Sequence, residues 1–283
     1  MEFHGKVAVI TGGSTGIGRA TAHALAERGM KIVLVSRRAD RLDATAQELA
    51  AQGHTVLAIP ADVADASDMQ RAARTTADRF GRLDLAFLNA GIADGGSLLD
   101  LDIEAWKQTI DTNLYGLLNG IKAFLPALRD TPGASLLATS SGAGVHGVSY
   151  RTAAYAAAKN AQATVMESLY GQLKDAGIDL HLGVVLPPLT RTNLAGDDLS
   201  YWERIEHNLA KAGLPPAVVE PEQFAQVIIE GIINRSFWIH TTEDQAHRLC
   251  DGRTAGTERR TAALLNARTH AMLNDGTPDD YLW

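Results

Sequence analysis

The sequence predicts an α/β fold: a doubly wound, mostly parallel seven-stranded sheet with helices on both faces. Apolar runs of strand length alternate with amphipathic helical stretches, the rhythm of strands joined by helical crossovers. The runs are rich in Val, Ile and Leu and lack a clean polar alternation, as strands covered on both faces require. No internal repeat or low-complexity linker breaks the rhythm, so 1–283 reads as one domain rather than two.

The elements follow in order. Strands are expected at the apolar runs near 6–11 (Lys-Val-Ala-Val-Ile-Thr), 31–36 (Lys-Ile-Val-Leu-Val-Ser), 54–59, 83–88, 133–139, 179–186 and 236–240. Helices are expected between and after them, near 16–29, 39–52, 66–80, 102–129, 152–175, 220–233 and 243–272. Residues 190–219 mix Gly, Pro, Asp and aromatic residues and read as an insertion over the ligand crevice. The stretch 241–283 is polar and helix-prone, a C-terminal extension that serves either as a packing tail or as an oligomer contact.

Composition narrows the function classes. With 283 residues and 46% hydrophobic content, the chain can bury a sizeable core. The opening Met-Glu-Phe-His-Gly-Lys lacks the pattern of a secretory leader, and no run of about 18 apolar residues suggests a membrane span. A soluble, cytoplasmic protein is the expectation. The single cysteine, Cys250, cannot form an intrachain disulfide and reads as a packing residue. A formal net charge of −7 without a dense basic block disfavours nucleic acid. Nine scattered histidines without ligand spacing disfavour a catalytic metal.

Two motifs carry chemistry. The first strand runs into Thr11-Gly12-Gly13-Ser14-Thr15-Gly16-Ile17-Gly18, and an Ala-rich helix follows at once. Glycines there let the backbone approach a pyrophosphate, which the free N–H groups and the helix dipole then meet. That placement makes the expected sheet Rossmann-type, with Gly12, Ser14, Thr15, Gly16, Ile17 and Gly18 as dinucleotide contacts. At the end of the second strand stands Val35-Ser36-Arg37-Arg38. An acidic residue there would hold ribose hydroxyls. Ser36, Arg37 and Arg38 instead suit a 2'-phosphate and leave no carboxylate to repel it, so NADP(H) is favoured, with NAD(H) as the alternative.

The second motif is Tyr155-Ala-Ala-Ala-Lys159, whose i,i+4 spacing puts both side chains on one helix face. An ordinary tyrosine titrates near ~10, so work near neutrality needs a shift of roughly 3 units, about 4 kcal/mol. A cation about 4 Å away at an effective dielectric of ~20 supplies about that much. Tyr155 is therefore the candidate acid or base.

With these residues in hand, the chain resembles the compact, single-domain subfamily of short-chain dehydrogenase/reductases over about residues 5–240. Asp62-Val63, Asn89-Ala90-Gly91, Asn113 in Asp-Thr-Asn-Leu-Tyr-Gly and Ser141 in Ser-Ser-Gly-Ala-Gly complete the match. The resemblance implies that Asp62 and Val63 border the adenine, and that Asn89, Ala90 and Gly91 line the cofactor. It casts Tyr155 as proton donor or acceptor, Ser141 as its hydrogen-bonding aid at the substrate oxygen, Lys159 on the nicotinamide ribose, and Asn113 at a relay water. The Ser141–Tyr155 interval is about one residue longer than usual, which leaves Ser140 as the fallback. Where the family often has Pro-Gly, this chain has Leu186-Pro187-Pro188-Leu189-Thr190-Arg191-Thr192, and Pro187, Leu189 and Thr192 take the nicotinamide-side contacts.

The resemblance further implies a homodimer or homotetramer. The expected reaction is NADP(H)-dependent interconversion of a secondary alcohol and a ketone, with His146, Tyr150, Tyr201 and Trp202 around a hydrophobic or aryl substrate. A cofactor-sensing protein that keeps the site without turnover is the alternative.

Overall fold

The computed structural model describes residues 2–93, 98–145, 152–195, 200–211 and 218–240, with the side chains of Val145, Ala195, Tyr201, Asn208 and Leu209 outside that description. The expected extension at 241–283 and its helix also lie outside the described residues.

The chain opens with β1 (Val7–Thr11), α1 (Gly16–Glu27), β2 (Lys31–Ser36), α2 (Ala39–Ala51), β3 (Val56–Pro60), α3 (Ala66–Phe80) and β4 (Leu85–Leu88). Next come α4 (Ile103–Ile110), α5 (Gly116–Arg129), β5 (Ser135–Thr139), the single turn α6 (Gly142–Val145), α7 (Ala153–Asp175) and β6 (His181–Val185). β7 (Leu189–Thr190), a 3-10 turn (Asn193–Ala195), α8 (Ser200–Lys211), β8 (Val218–Val219), α9 (Pro221–Ile233) and β9 (Trp238–Ile239) follow.

The seven-stranded sheet has the order β3-β2-β1-β4-β5-β6-β9, and every pairing is parallel. Strand order reverses between β1 and β4, which opens a crevice at their carboxyl ends, where Thr11 pairs with both Val35 and Leu88. Two apolar layers bury the sheet. Val7, Val9, Phe124 and Met166 lie on one face, and Ala8, Ile10, Leu25 and Phe224 on the other. Alternate residues of β1 thus enter different cores, which is why its sequence shows no polar alternation.

Buried polar groups fix the amino edge of the sheet. Asp84, fully buried, accepts from Val7 N at 2.9 Å and from Arg82 Nε and Nη2 at 2.9 and 2.6 Å. His181 bonds Ser135 Oγ through Nδ1 and the Ser236 carbonyl through Nε2, each at 3.0 Å, which ties β5, β6 and the approach to β9 together.

The long helix expected over 102–129 is interrupted. Between α4 and α5, residues Asp111–Tyr115 wind as a π-type turn in which Gly116 N reaches the Asp111 carbonyl. The cause is local. The side-chain amide of Asn113 donates to the Thr109 carbonyl at 2.8 Å, the acceptor that an α ladder would give to Asn113's own N–H. The 190–219 segment carries short structure of its own: β7 and β8 pair in parallel, and α8 lies between them.

Candidate active site

The sheet presents its chemistry where the switch point predicts. Two adjoining cavities of about 350 and 420 Å³ open at the carboxyl ends of β1, β2, β4 and β5. They share Gly12, Thr15, Ala90, Gly91 and Asn193 as a common wall, so together they form one elongated cleft.

One end is built for an anionic nucleotide. α1 begins directly after the glycine turn, and its N-cap residue Thr15 makes no side-chain cap bond, so the first-turn N–H groups have no capping acceptor from it. Gly12 and Gly16 adopt φ of +64° and +52°, and a Cβ on Gly16 would come within 2.9 Å of Thr192 Cγ2. Gly18 does not line the cleft. A Cβ there would stand 2.6 Å from Asn89 Nδ2 and closer still to the Gly12 carbonyl, so its smallness lets α1 back against the turn. Ile17 lines the other end. A dinucleotide fits this cradle, because backbone and N–H groups crowd where side chains would otherwise block it.

Ser14 and Ser36 share a hydrogen bond of 3.0 Å beside Arg37, Arg38 and a third arginine, Arg41, which sequence reasoning missed. Its signal was present one helical turn beyond Arg37 at the start of α2. The expectation of a carboxylate-free arginine pair is corrected. Asp62 Oδ2 lies 3.7 Å from Arg37 Nη1, and Asp40 Oδ2 lies 3.6 Å from Arg38 Nη2. Asp62 arrives there because β3 pairs with β2, an adjacency invisible along the chain. Val63 lines the cleft, whereas Asp62 faces Arg37.

A hydrogen-bonded spine joins this end to the other. Asn89 takes Thr11 Oγ1 through its N–H at 2.9 Å and the Thr11 carbonyl through Nδ2 at 3.2 Å. Thr139 Oγ1 donates to Asn89 Oδ1 at 3.1 Å, and the Thr139 carbonyl accepts from Lys159 Nζ at 2.6 Å. β1, β4, β5 and α7 are thereby locked together at the cleft floor.

Ser141, Tyr155 and Lys159 converge in the larger cavity. The Ser141 hydroxyl lies near enough to the Tyr155 phenol to act on its proton. The fallback serine is otherwise engaged, since Ser140 Oγ donates to the Lys159 carbonyl at 2.7 Å. Burial pushes the Tyr155 phenol above its ordinary value, with Ser141 opposing. Here the structure differs from the expected lowering by lysine. Lys159 Nζ lies 5.5 Å from the Tyr155 ring centroid and is tied to the Thr139 carbonyl, so its charge does not bear on the phenol oxygen as spacing alone suggests. Lys159 is itself only 2% exposed, and burial pulls it down to about 7.

Asn113 stands behind the cleft rather than in it. Its Nδ2 donates to the Ile92 carbonyl at 2.9 Å and its Oδ1 accepts from Ile92 N at 3.2 Å, so it clamps the loop that follows Gly91. Pro187, Leu189, Thr192 and Trp202 line the cavity near Tyr155, and Trp202 Nε1 donates to the Thr192 carbonyl at 3.0 Å. His146 and Tyr150 lie outside the described residues, as does the Tyr201 side chain. Among the described residues no cluster of His, Cys, Asp or Glu could hold a metal, and no helix is long and apolar enough to cross a membrane.

Comparison with known proteins matches this architecture. Residues 6–200 match the family model described as short chain dehydrogenase. An uncharacterised oxidoreductase of Listeria innocua is 36% identical over 194 residues, 69% of this chain and 78% of the relative. A cyclohexanol dehydrogenase of an Acinetobacter strain is 31% identical over 235 residues, covering 80% of this chain and 87% of the relative. A short-chain dehydrogenase/reductase from Burkholderia phymatum, solved in complex with NAD, superposes with a TM-score of 0.78 at 28% identity, covering 88% of this chain and 93% of that one.

Proposed function

The chain belongs to the short-chain dehydrogenase family of oxidoreductases, and from that premise we propose that it interconverts a secondary alcohol and a ketone with NADP(H) as hydride carrier. The observation that carries the reading is the convergence of Tyr155 and Ser141 with the buried Lys159 at the switch-point cleft. A bound nicotinamide dinucleotide supplies the hydride; the protein supplies orientation and the proton. Gly12, Ser14, Thr15, Gly16 and Ile17 would hold its phosphates, Asn89, Ala90 and Gly91 its central portion, and Pro187, Leu189 and Thr192 the nicotinamide side.

In the reductive direction, the Tyr155 hydroxyl gives its proton to the carbonyl oxygen while Ser141 steadies that oxygen. A phenol whose pKa is raised by burial is fully protonated near neutrality and ready for this step. In the oxidative direction the Tyr155 phenolate left by that step takes the proton back from the alcohol and becomes the phenol again. NADP(H) over NAD(H) is supported by Ser36, Arg37, Arg38 and Arg41 at the ribose end, although Asp62 and Asp40 share two of the guanidinium groups. The substrate end is walled by Pro188, Leu189, Leu194 and Trp202, which supports a hydrophobic or aryl ketone, as does the likeness to a cyclohexanol dehydrogenase.

The test is a panel of cyclic and aryl ketones and alcohols, followed by nicotinamide absorbance with NADPH and NADH in parallel. Turnover with NADPH preferred is expected. Silence across the panel despite tight NADPH binding would overturn the enzymatic reading in favour of a cofactor sensor.

A further inference from the structure

Gln162 is 1% exposed on α7, three residues after Lys159 and seven after Tyr155, so it shares the helix face that carries both. Its helix neighbours Ala158, Ala163 and Met166 are buried and apolar. An amide in such company costs free energy unless something uses it. Its Nε2 donates to the Asn113 carbonyl at 2.6 Å, while its Oε1 is buried with no hydrogen-bond partner among the described residues.

The bond lands on the π-type turn. Asn113 is then held at two points, by its carbonyl on Gln162 and by its side chain on Ile92 and Thr109. The far end of this chain of bonds is the cleft floor. Gly91 and Ile92 line the cleft, and a Cβ on Gly91 would come 2.5 Å from Asn113 Oδ1 and 3.4 Å from Lys159 Nζ. The Asn113 amide and the lysine head group therefore both close on the space beside the Gly91 backbone, so a shift of the π-type turn presses on that floor.

We propose that Gln162 is a positioning residue of the reaction centre, acting through the Asn113 carbonyl to hold the 91–92 floor against Lys159. Gln162 touches neither Tyr155 nor the cleft, so it sets geometry rather than exchanging a proton.

Two substitutions test this. Gln162→Met keeps the length and removes the donor. Gln162→Asn keeps the amide but is one methylene too short to reach, and serves if the first variant does not fold. The first readout is hydrogen exchange of the ligand-free protein by mass spectrometry. Protection is expected to fall at least tenfold in 111–115 and also in 91–93, while the later turns of α7 stay protected. The second readout is steady-state kinetics, with kcat falling about tenfold and KM for the alcohol moving less than threefold. Loss confined to 111–115, with 91–93 unchanged, would overturn the proposal, as would a kcat within twofold of the parent in both variants. The kinetic arm rests on the oxidoreductase reading. Were the parent protein silent with every substrate, that reading would fail, and the exchange of 91–93 would still decide the role of Gln162.

Discussion

Replacing Lys159 by Met should stabilise the protein while abolishing its activity, and the gain should depend on pH in a defined direction. Burial lowers the Lys159 ammonium from 10.5 to about 7. At about 1.4 kcal/mol per pKa unit, holding the charged form inside the fold costs roughly 5 kcal/mol. The sign follows from proton counting. The folded protein releases this proton near 7 and the unfolded chain near 10.5, so between those values the unfolded state binds more protons and stability rises with pH. The cost is fully present below about 7 and gone above 10.5.

Met fills similar volume without charge, but it strands the Thr139 carbonyl that Lys159 Nζ now meets at 2.6 Å, a loss of about 1–3 kcal/mol. The net expectation is a gain of roughly 2–4 kcal/mol near neutrality that shrinks to nothing or reverses towards pH ~10. Urea denaturation of parent and variant at several pH values between about 6 and 10 measures it. If the variant is less stable than the parent at neutrality and the two show the same pH slope, the burial argument is refuted.

Three further outcomes follow from the geometry. Gly18→Ala drives a Cβ into the Gly12 carbonyl and to 2.6 Å from Asn89 Nδ2, so α1 must retreat from the glycine turn; NADPH affinity by fluorescence titration should fall at least tenfold, and unchanged binding would contradict the packing account. Arg37→Ala with Arg38→Ala should weaken NADPH by at least tenfold, since each charge-assisted hydrogen bond removed is worth about 1.5–3 kcal/mol, while NADH binding stays within twofold. Equal losses for both cofactors would remove the 2'-phosphate assignment. Asp84→Ala lies at the opposite edge of the sheet and strands the buried Val7 N–H, so it should cost about 2–3 kcal/mol in denaturation with kcat unchanged.

The strands and the glycine turn were legible because each has a one-dimensional cause. β1, β4 and β5 are short apolar runs that both sheet faces bury, and Thr11-Gly12 through Gly18 sits at a strand-to-helix junction. What was not legible depended on partners from elsewhere. Asp-Thr-Asn-Leu-Tyr-Gly has a helical pattern, and nothing in it says that the Asn113 amide will take the Thr109 carbonyl and wind a π-type turn. The spacing of Tyr155 and Lys159 predicted a shared face correctly, yet the direction of each group's pKa is set by burial, which spacing does not contain. Asp62 meets Arg37 only because β3 pairs with β2. Gln162 left a readable trace, a polar residue on the 155, 159 and 166 stripe of α7, where an apolar one would be expected.

The most direct measurement of the central claim, that the Tyr155 hydroxyl moves the proton, is a paired comparison of turnover and NADPH affinity in the parent and in Tyr155→Phe. The variant keeps the ring that packs near Lys159 and loses only the hydroxyl that Ser141 acts on. Turnover should drop by roughly 10²–10⁴-fold, the range of general acid–base catalysis, with the cofactor dissociation constant changing less than threefold. Undiminished turnover in the variant would contradict the account.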